Sequence, residues 1–157
     1  YSVSPFEIIL NDGNYYLLAY DDDRKDITTY RVDRMDGLDF KNEPAEGEEK
    51  LKFINLKDYT RQSFGMFGGT NFDVKRITIR FTNNLLDTVL DRFGNPRGTD
   101  YKKVDNNHFT ITTSIIVSDN FFGWLSGFGT SAVIENKEIA QMYVEYLRKI
   151  QEKYEKS

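Results

Sequence analysis

The sequence predicts an α+β protein of two units, a small β-barrel over residues 1–69 and a βαββαβ domain with a C-terminal helix over residues 70–157. Three observations lead there. The opening segments are short aromatic and β-branched runs punctuated by Asn, Asp and Gly turns. The second half switches between the two-residue period of a strand and the 3.6-residue period of a helix. Between the halves, Phe67-Gly68-Gly69-Thr70 breaks both rhythms and places the boundary near residues 67–73.

Phe6 to Leu10 is apolar and Asn11-Asp12-Gly13-Asn14 is turn chemistry, because these residue types tolerate positive φ. Tyr15 to Tyr20 follows, so the two runs form a β-hairpin. Asp21 to Asp26 is a second polar turn, and Asp21-Asp22-Asp23 reads as solvated. Ile27 to Met35 is a third strand. Regular alternation puts Thr28, Tyr30, Val32 and Arg34 on one face and Thr29, Arg31 and Asp33 on the other. The two arginines then point apart unless a bulge intervenes. Met35 to Lys50 holds Gly37, Pro44 and Gly47 among acidic residues and contains a loop. Leu51 to Ile54 fits a short strand, and Leu56 to Met66 has a weak helical stripe through Leu56, Tyr59 and Phe64. The first unit has strands too few and too short for a sandwich, which favours a compact barrel.

In the second unit Val74 to Phe81 alternates as a strand. Asn83 reads as an N-cap, followed at helical spacing by Leu85, Leu86, Val89, Leu90 and Phe93, with Gly94 closing the helix. Asp100 to Val104 and His108 to Val117 form a hairpin across Asp105-Asn106-Asn107. Asp119 reads as the cap of a short helix containing Phe122, Trp124 and Leu125. Ser131 to Ile134 is a strand, and a helix runs from about Lys137 to Tyr154 with an apolar stripe through Ile139, Met142, Tyr143, Tyr146, Leu147, Ile150 and Tyr154. This order is the split-βαβ, ferredoxin-like pattern with a C-terminal extension.

Composition narrows the chemistry. The 157 residues suffice for an ordinary core, with 12 Phe and 10 Tyr as bulky filling. The absence of Cys excludes disulfides, thiolate catalysis and Cys-based zinc sites, and fits a reducing, cytoplasmic setting. No apolar run approaches the ~20 residues that cross a bilayer. The net charge of −4 argues against a general nucleic-acid binder. The charge is uneven: residues 1–69 carry 9 Lys+Arg against 14 Asp+Glu, residues 70–157 carry 12 against 11.

Against that acidic background, Tyr15-Tyr16-Leu17 and Tyr30-Arg31-Val32-Asp33-Arg34 bring aromatic rings and guanidinium groups close together. Rings stack on planar ligands, and guanidinium binds phosphate or carboxylate through two parallel bonds. The pattern points to a pocket for an anionic, nucleotide-like ligand. The site residues are Arg34, Arg31, Tyr16 and Ser4. Arg34 leads, because an arginine on an apolar strand face needs a carboxylate or a bound anion. Arg31 has the alternative of pairing with an acidic surface neighbour, and Ser4 that of a local bond. Tyr16 is taken as the pocket ring and Tyr15 as scaffold. His108, the only histidine, has no cysteine or histidine partner, and no metal or catalytic role is expected of it. The glycine clusters at 65–69 and 127–129 match neither a P-loop nor a dinucleotide fingerprint. Trp124 with Phe121, Phe122 and Phe128 reads as core or interface. No catalytic constellation, cofactor site or metal site is expected.

The segment Asn11-Asp12-Gly13-Asn14-Tyr15-Tyr16-Leu17-Leu18-Ala19-Tyr20 resembles the signature hairpin of the WYL domain, with Tyr15 in place of the usual Trp. Ser4-Pro5 before it and Tyr30-Arg31-Val32-Asp33-Arg34-Met35 after it fit the same pattern. Thr28 stands where the family often has an arginine. Phe122-Gly123-Trp124-Leu125-Ser126-Gly127-Phe128-Gly129 resembles the extension that commonly follows WYL domains. The resemblance implies an Sm-like, SH3-type β-barrel followed by an α/β extension, placed in bacteria behind a winged helix-turn-helix. It implies sensing of a nucleotide or single-stranded nucleic acid, and dimerisation through the extension. The expectation is the effector-sensing and dimerisation region of a bacterial transcriptional regulator. Duplex DNA would be contacted only through a helix-turn-helix upstream of Tyr1. The rival reading is a stand-alone nucleic-acid-binding accessory module that modulates another enzyme.

Overall fold

The computed structural model describes residues 1–11, 13–51, 74–94 and 98–156. It is a mixed α+β chain with a three-stranded and a four-stranded antiparallel sheet and a C-terminal helix. It divides into two compact units, Tyr1–Phe72 and Asp73–Ser157.

The first unit is a meander of β1 (Val3–Asn11), β2 (Asn14–Asp21) and β3 (Asp26–Arg31). Gly13, at φ 74°, supplies the positive φ that the hairpin turn needs. Register pairs Ile9 with Tyr16 and Leu10 with Tyr15. Ile9, Leu18, Tyr20 and Ile27 form the buried cluster, and Phe6 and Tyr16 lie against it. A bulge between Pro5 and Glu7 inserts Phe6 into β1, re-aiming its ring toward that cluster.

The third strand ends sooner than its sequence suggests. Extended pairing stops at Arg31, and Val32–Arg34 is a 3-10 turn in which the Met35 amide donates to the Val32 carbonyl at 3.2 Å. The Arg31 guanidinium grips the Asp33 carboxylate across this turn, which favours a bent chain over an extended one. The loop beyond returns to the sheet: the Glu46 amide donates to Ser4 Oγ at 2.8 Å, and the Lys50 ammonium sits 5.5 Å from the Tyr20 ring centroid. Gly47, at φ 78°, lies so close to Tyr20 that a Cβ would collide with the ring. The strand expected at Leu51–Ile54 is corrected at its first residue, since Leu51 ends the single-turn helix α1 (Glu48–Leu51). Residues 52–54 and the helical stripe at 56–66 lie outside the described residues.

The second unit runs β4 (Val74–Thr82), α2 (Leu86–Phe93), β5 (Asp100–Lys103), β6 (His108–Ile116), α3 (Asp119–Ser126), β7 (Ala132–Ile134) and α4 (Lys137–Glu155). Its sheet order is β5-β6-β4-β7, antiparallel throughout. Ile77, Ile79 and Phe81 of β4 and Phe109, Ile111 and Ile115 of β6 are buried on one face. There Phe81 meets Phe109, Trp124 and Phe128, and Phe93 of α2 meets Trp124 at 5.6 Å. α4 packs on α3 through Phe122 against Tyr143 and Tyr146. Of the aromatic cluster, Phe121 and Phe122 are buried core, and Trp124 and Phe128 are half-buried beside them.

Two caps differ from expectation. Asn83 opens a 3-10 turn (Asn83–Leu85) ahead of α2 and gives its side-chain amide to the Asn106 carbonyl, so it binds the neighbouring hairpin and does not cap α2. At α3 the capping residue is Ser118, whose Oγ accepts from the Phe121 amide at 3.3 Å, with Asp119 already inside the helix. Gly94 closes α2 at φ 61°, its amide donating to the Leu90 carbonyl.

Candidate functional site

The hairpin places the two tyrosines on opposite faces, and Tyr15, expected as packed scaffold, is the more exposed ring. Tyr15 is 59% exposed, cross-strand from the equally bare Leu10. Tyr16 is half-buried against the core cluster. Tyr16 shares the phase of Leu18 and Tyr20 in the buried cluster, while the opposite face of β2 is covered at Ala19 and Asp21 and open at Tyr15.

Tyr16 and Arg31 are register partners on β2 and β3, so these two predicted residues are neighbours on one face. Arg31 is already engaged. Its Nε and Nη2 donate to Asp33 at 3.0 and 2.7 Å, and Nη2 also donates to Asn14 Oδ1 at 2.7 Å. The bond from Arg31 holds the Asp33 carboxyl below its ordinary range, and Arg31 is raised in turn. Asn14, at the first position of β2, was missed in the sequence. It ties the turn after β3 back to the hairpin.

Arg34 is where the reading changes most. It lies on the 3-10 turn and is exposed, so it does not share a strand face with Tyr30, and Val32 beside it is also exposed. Among the described residues it makes no ion pair, and its charge helps to lower Asp33. The argument from an arginine on an apolar face falls. The geometry that replaces it is a solvent-facing guanidinium three residues from one held by an internal carboxylate.

Ser4 is buried at the far end of the same sheet, paired in register with Tyr20, and its hydroxyl is taken by the Glu46 amide. It lies four positions along β2 from Tyr16, roughly 14 Å at strand rise. The structure thus brings Tyr16, Arg31 and Arg34 to one end and leaves Ser4 at the other.

Asp21 corrects the reading of its cluster as solvated. It is 1% exposed and accepts from the Tyr30 hydroxyl at 2.5 Å and from the Asp23 and Arg24 amides at 3.0 and 2.9 Å. The Tyr30 bond is the main cause lowering its pKa, burial opposes it, and the two amides and the Arg24 charge add to the lowering. Burial, then the bond to Asp21, raises Tyr30. The signal was present: an Asp at a strand end before polar residues is the start of an Asx-type turn.

Elsewhere, His108 Nδ1 sits 3.0 Å from the Asp105 carboxylate in an exposed turn. Among the described residues no group of His, Asp and Glu is placed to hold a metal. No described helix is long and apolar enough to cross a membrane.

Residues 1–40 match the WYL domain family model, which bears out the resemblance over that segment. No curated protein matches the chain. Among solved structures, proteasome accessory factor B/C (PafBC) of Arthrobacter aurescens is similar at TM-score 0.41 and 13% identity. The similarity covers 93% of this chain, which spans 21% of that one.

Proposed function

We propose that the chain, with a WYL domain at residues 1–40, is the effector-sensing and dimerisation region of a bacterial transcriptional regulator. Its ligand is an anionic nucleotide or a short single-stranded nucleic acid. The observation that carries this is the pair Arg31 and Arg34 at the mouth of the hairpin. One is preorganised by Asp33 and Asn14, the other is turned to solvent. Tyr16 flanks Arg31 on the sheet, and Ser4 anchors the loop that borders the same unit. Regulation in place of catalysis agrees with a site built of cations and rings.

The finer architecture belongs to the same proposal. The β1–β3 meander with its bulged first strand supports an Sm-like barrel over residues 1–69. The order β5-β6-β4-β7, with helices after β4 and β6, supports a ferredoxin-like extension over 70–157. Met142, Leu147, Ile150 and Tyr154 leave an exposed apolar stripe on α4, which supports dimerisation.

Fluorescence anisotropy with short labelled single strands and a nucleotide panel tests the ligand claim. Binding weakens as salt rises, and Arg34→Ala weakens it further. Unchanged binding in both Arg34→Ala and Arg31→Ala removes the site. A winged helix-turn-helix in the upstream reading frame supports the regulator. A start codon immediately before Tyr1 favours an accessory module.

A further inference from the structure

We propose that the face of the four-stranded sheet turned away from Ile77, Ile79 and Phe81 docks an acidic segment of a partner protein, with Arg80 as its anchor. This is independent of the ligand reading for residues 1–40. Arg80 lies on β4, an inner strand, between Thr110 of β6 and Val133 of β7 in register. Its neighbours in sequence, Ile79 and Phe81, are fully buried against the helices, so Arg80 is directed to the other face. It is half-buried, and among the described residues its guanidinium makes no hydrogen bond or ion pair. Arg76, two turns of the pleat away, shows the contrast: it donates to Asp100 at 2.6 Å and to the Gly98 carbonyl at 3.0 Å. Asp100 is thereby neutralised, and Arg80 has no such partner among the described residues.

Hydroxyl groups surround the anchor. Thr78 and Thr112 bond each other at 2.9 Å across the strands. Thr82 Oγ1, two residues along from Arg80, is buried with no partner among the described residues. A carboxylate accepting two parallel bonds from Arg80 meets the chemistry offered. The occupant is a protein for two reasons. Val133, 43% exposed beside Arg80, and the threonine methyls give the mixture of arginine and apolar surface common at protein interfaces. Single-stranded nucleic acid needs several aromatic stacking platforms and phosphate-binding cations, and among the described residues this face supplies one ring, His108 beside Thr82.

The test is a titration of the isotope-labelled full chain with a short peptide of alternating valine and glutamate, followed by NMR. Saturable shifts are expected at Thr78, Arg80, Thr110 and Val133. Arg80→Gln weakens binding at least about tenfold, as loss of one charge-assisted pair implies. Arg80→Lys, which keeps the charge without the fork, falls between. Lys103→Gln, an exposed change on the other side of β5, stays within about twofold. The proposal is overturned by absence of saturable shifts on this face, or by equal weakening in Arg80→Gln and Lys103→Gln. It is also overturned if an oligothymidylate binds the same residues more tightly, or if Arg80→Gln abolishes self-association, which would assign the face to a second copy.

Discussion

In the three-stranded sheet, Arg31 is held on two sides by Asp33 and Asn14. In the four-stranded sheet, Arg80 stands among threonine hydroxyls with no carboxylate of its own among the described residues. The first unit spends polar groups on organising its turns: Asp21 with Tyr30, Ser4 with Glu46, Arg31 with Asp33. The second closes its core with aromatic rings and leaves the polar face of its sheet less committed. Among the described residues of the first unit, Ile9, Leu18, Tyr20 and Ile27 form one buried cluster with Phe6 and Tyr16 at its margin, and these ties hold the turns of the same unit.

The largest effect that would sharpen this contrast is in the second unit. Phe81→Ala removes a fully buried ring that touches three others and costs about 3–5 kcal/mol. Denaturant unfolding followed by Trp124 emission checks it. Gly47→Ala comes next, in the first unit. It forces a side chain into positive φ against Tyr20, and strain with overpacking costs about 2–4 kcal/mol by far-UV circular dichroism. A neutral result would show that the loop is not tied to the core as described.

Tyr30→Phe follows, at about 1–3 kcal/mol near neutral pH, because it strips a hydroxyl donor from a buried carboxylate. It also changes the acid limb. Asp21 sits below its ordinary 3.8, so its contribution is complete above that value and is lost as pH falls through the lower folded-state value. Without the Tyr30 bond the folded-state value rises, so the pH-dependent contribution shrinks and its loss is complete at a higher pH. An unchanged acid limb would mean that the Asp23 and Arg24 amides alone hold the carboxylate. The smallest effect is Tyr15→Ala, within about 0.5 kcal/mol of the parent because the ring is exposed. Tyr16→Ala costs more, since its ring lies against the cluster.

Much of the fold was legible. The hairpin and its Asn/Gly turn follow from residue types that accept positive φ, and the strand and helix order of the second unit follows from clean period changes. The errors have physical causes. Tyr15 was misplaced as packed scaffold because alternation fixes that two neighbours face apart, and only the register to Ile9 says which face is buried. Arg34 was placed on a strand because alternation carries no information about the Arg31–Asp33 clasp that turns the chain. Asp21 was read by its acidic neighbours, whereas its burial is set by a tyrosine nine residues away. The cap at α3 moved one residue because Ser118 and Asp119 are both good capping types.

The central claim is that an anionic ligand is held where Arg31 and Arg34 leave the third strand. A backbone amide NMR titration of the full chain with a short single-stranded oligonucleotide tests it most directly. The predicted result is saturable shifts centred on Asn14, Tyr16 and Arg31 to Arg34, lost in Arg34→Ala and weakened by added salt. Shifts confined to residues 74–156, or the same shifts in Arg34→Ala, would contradict it.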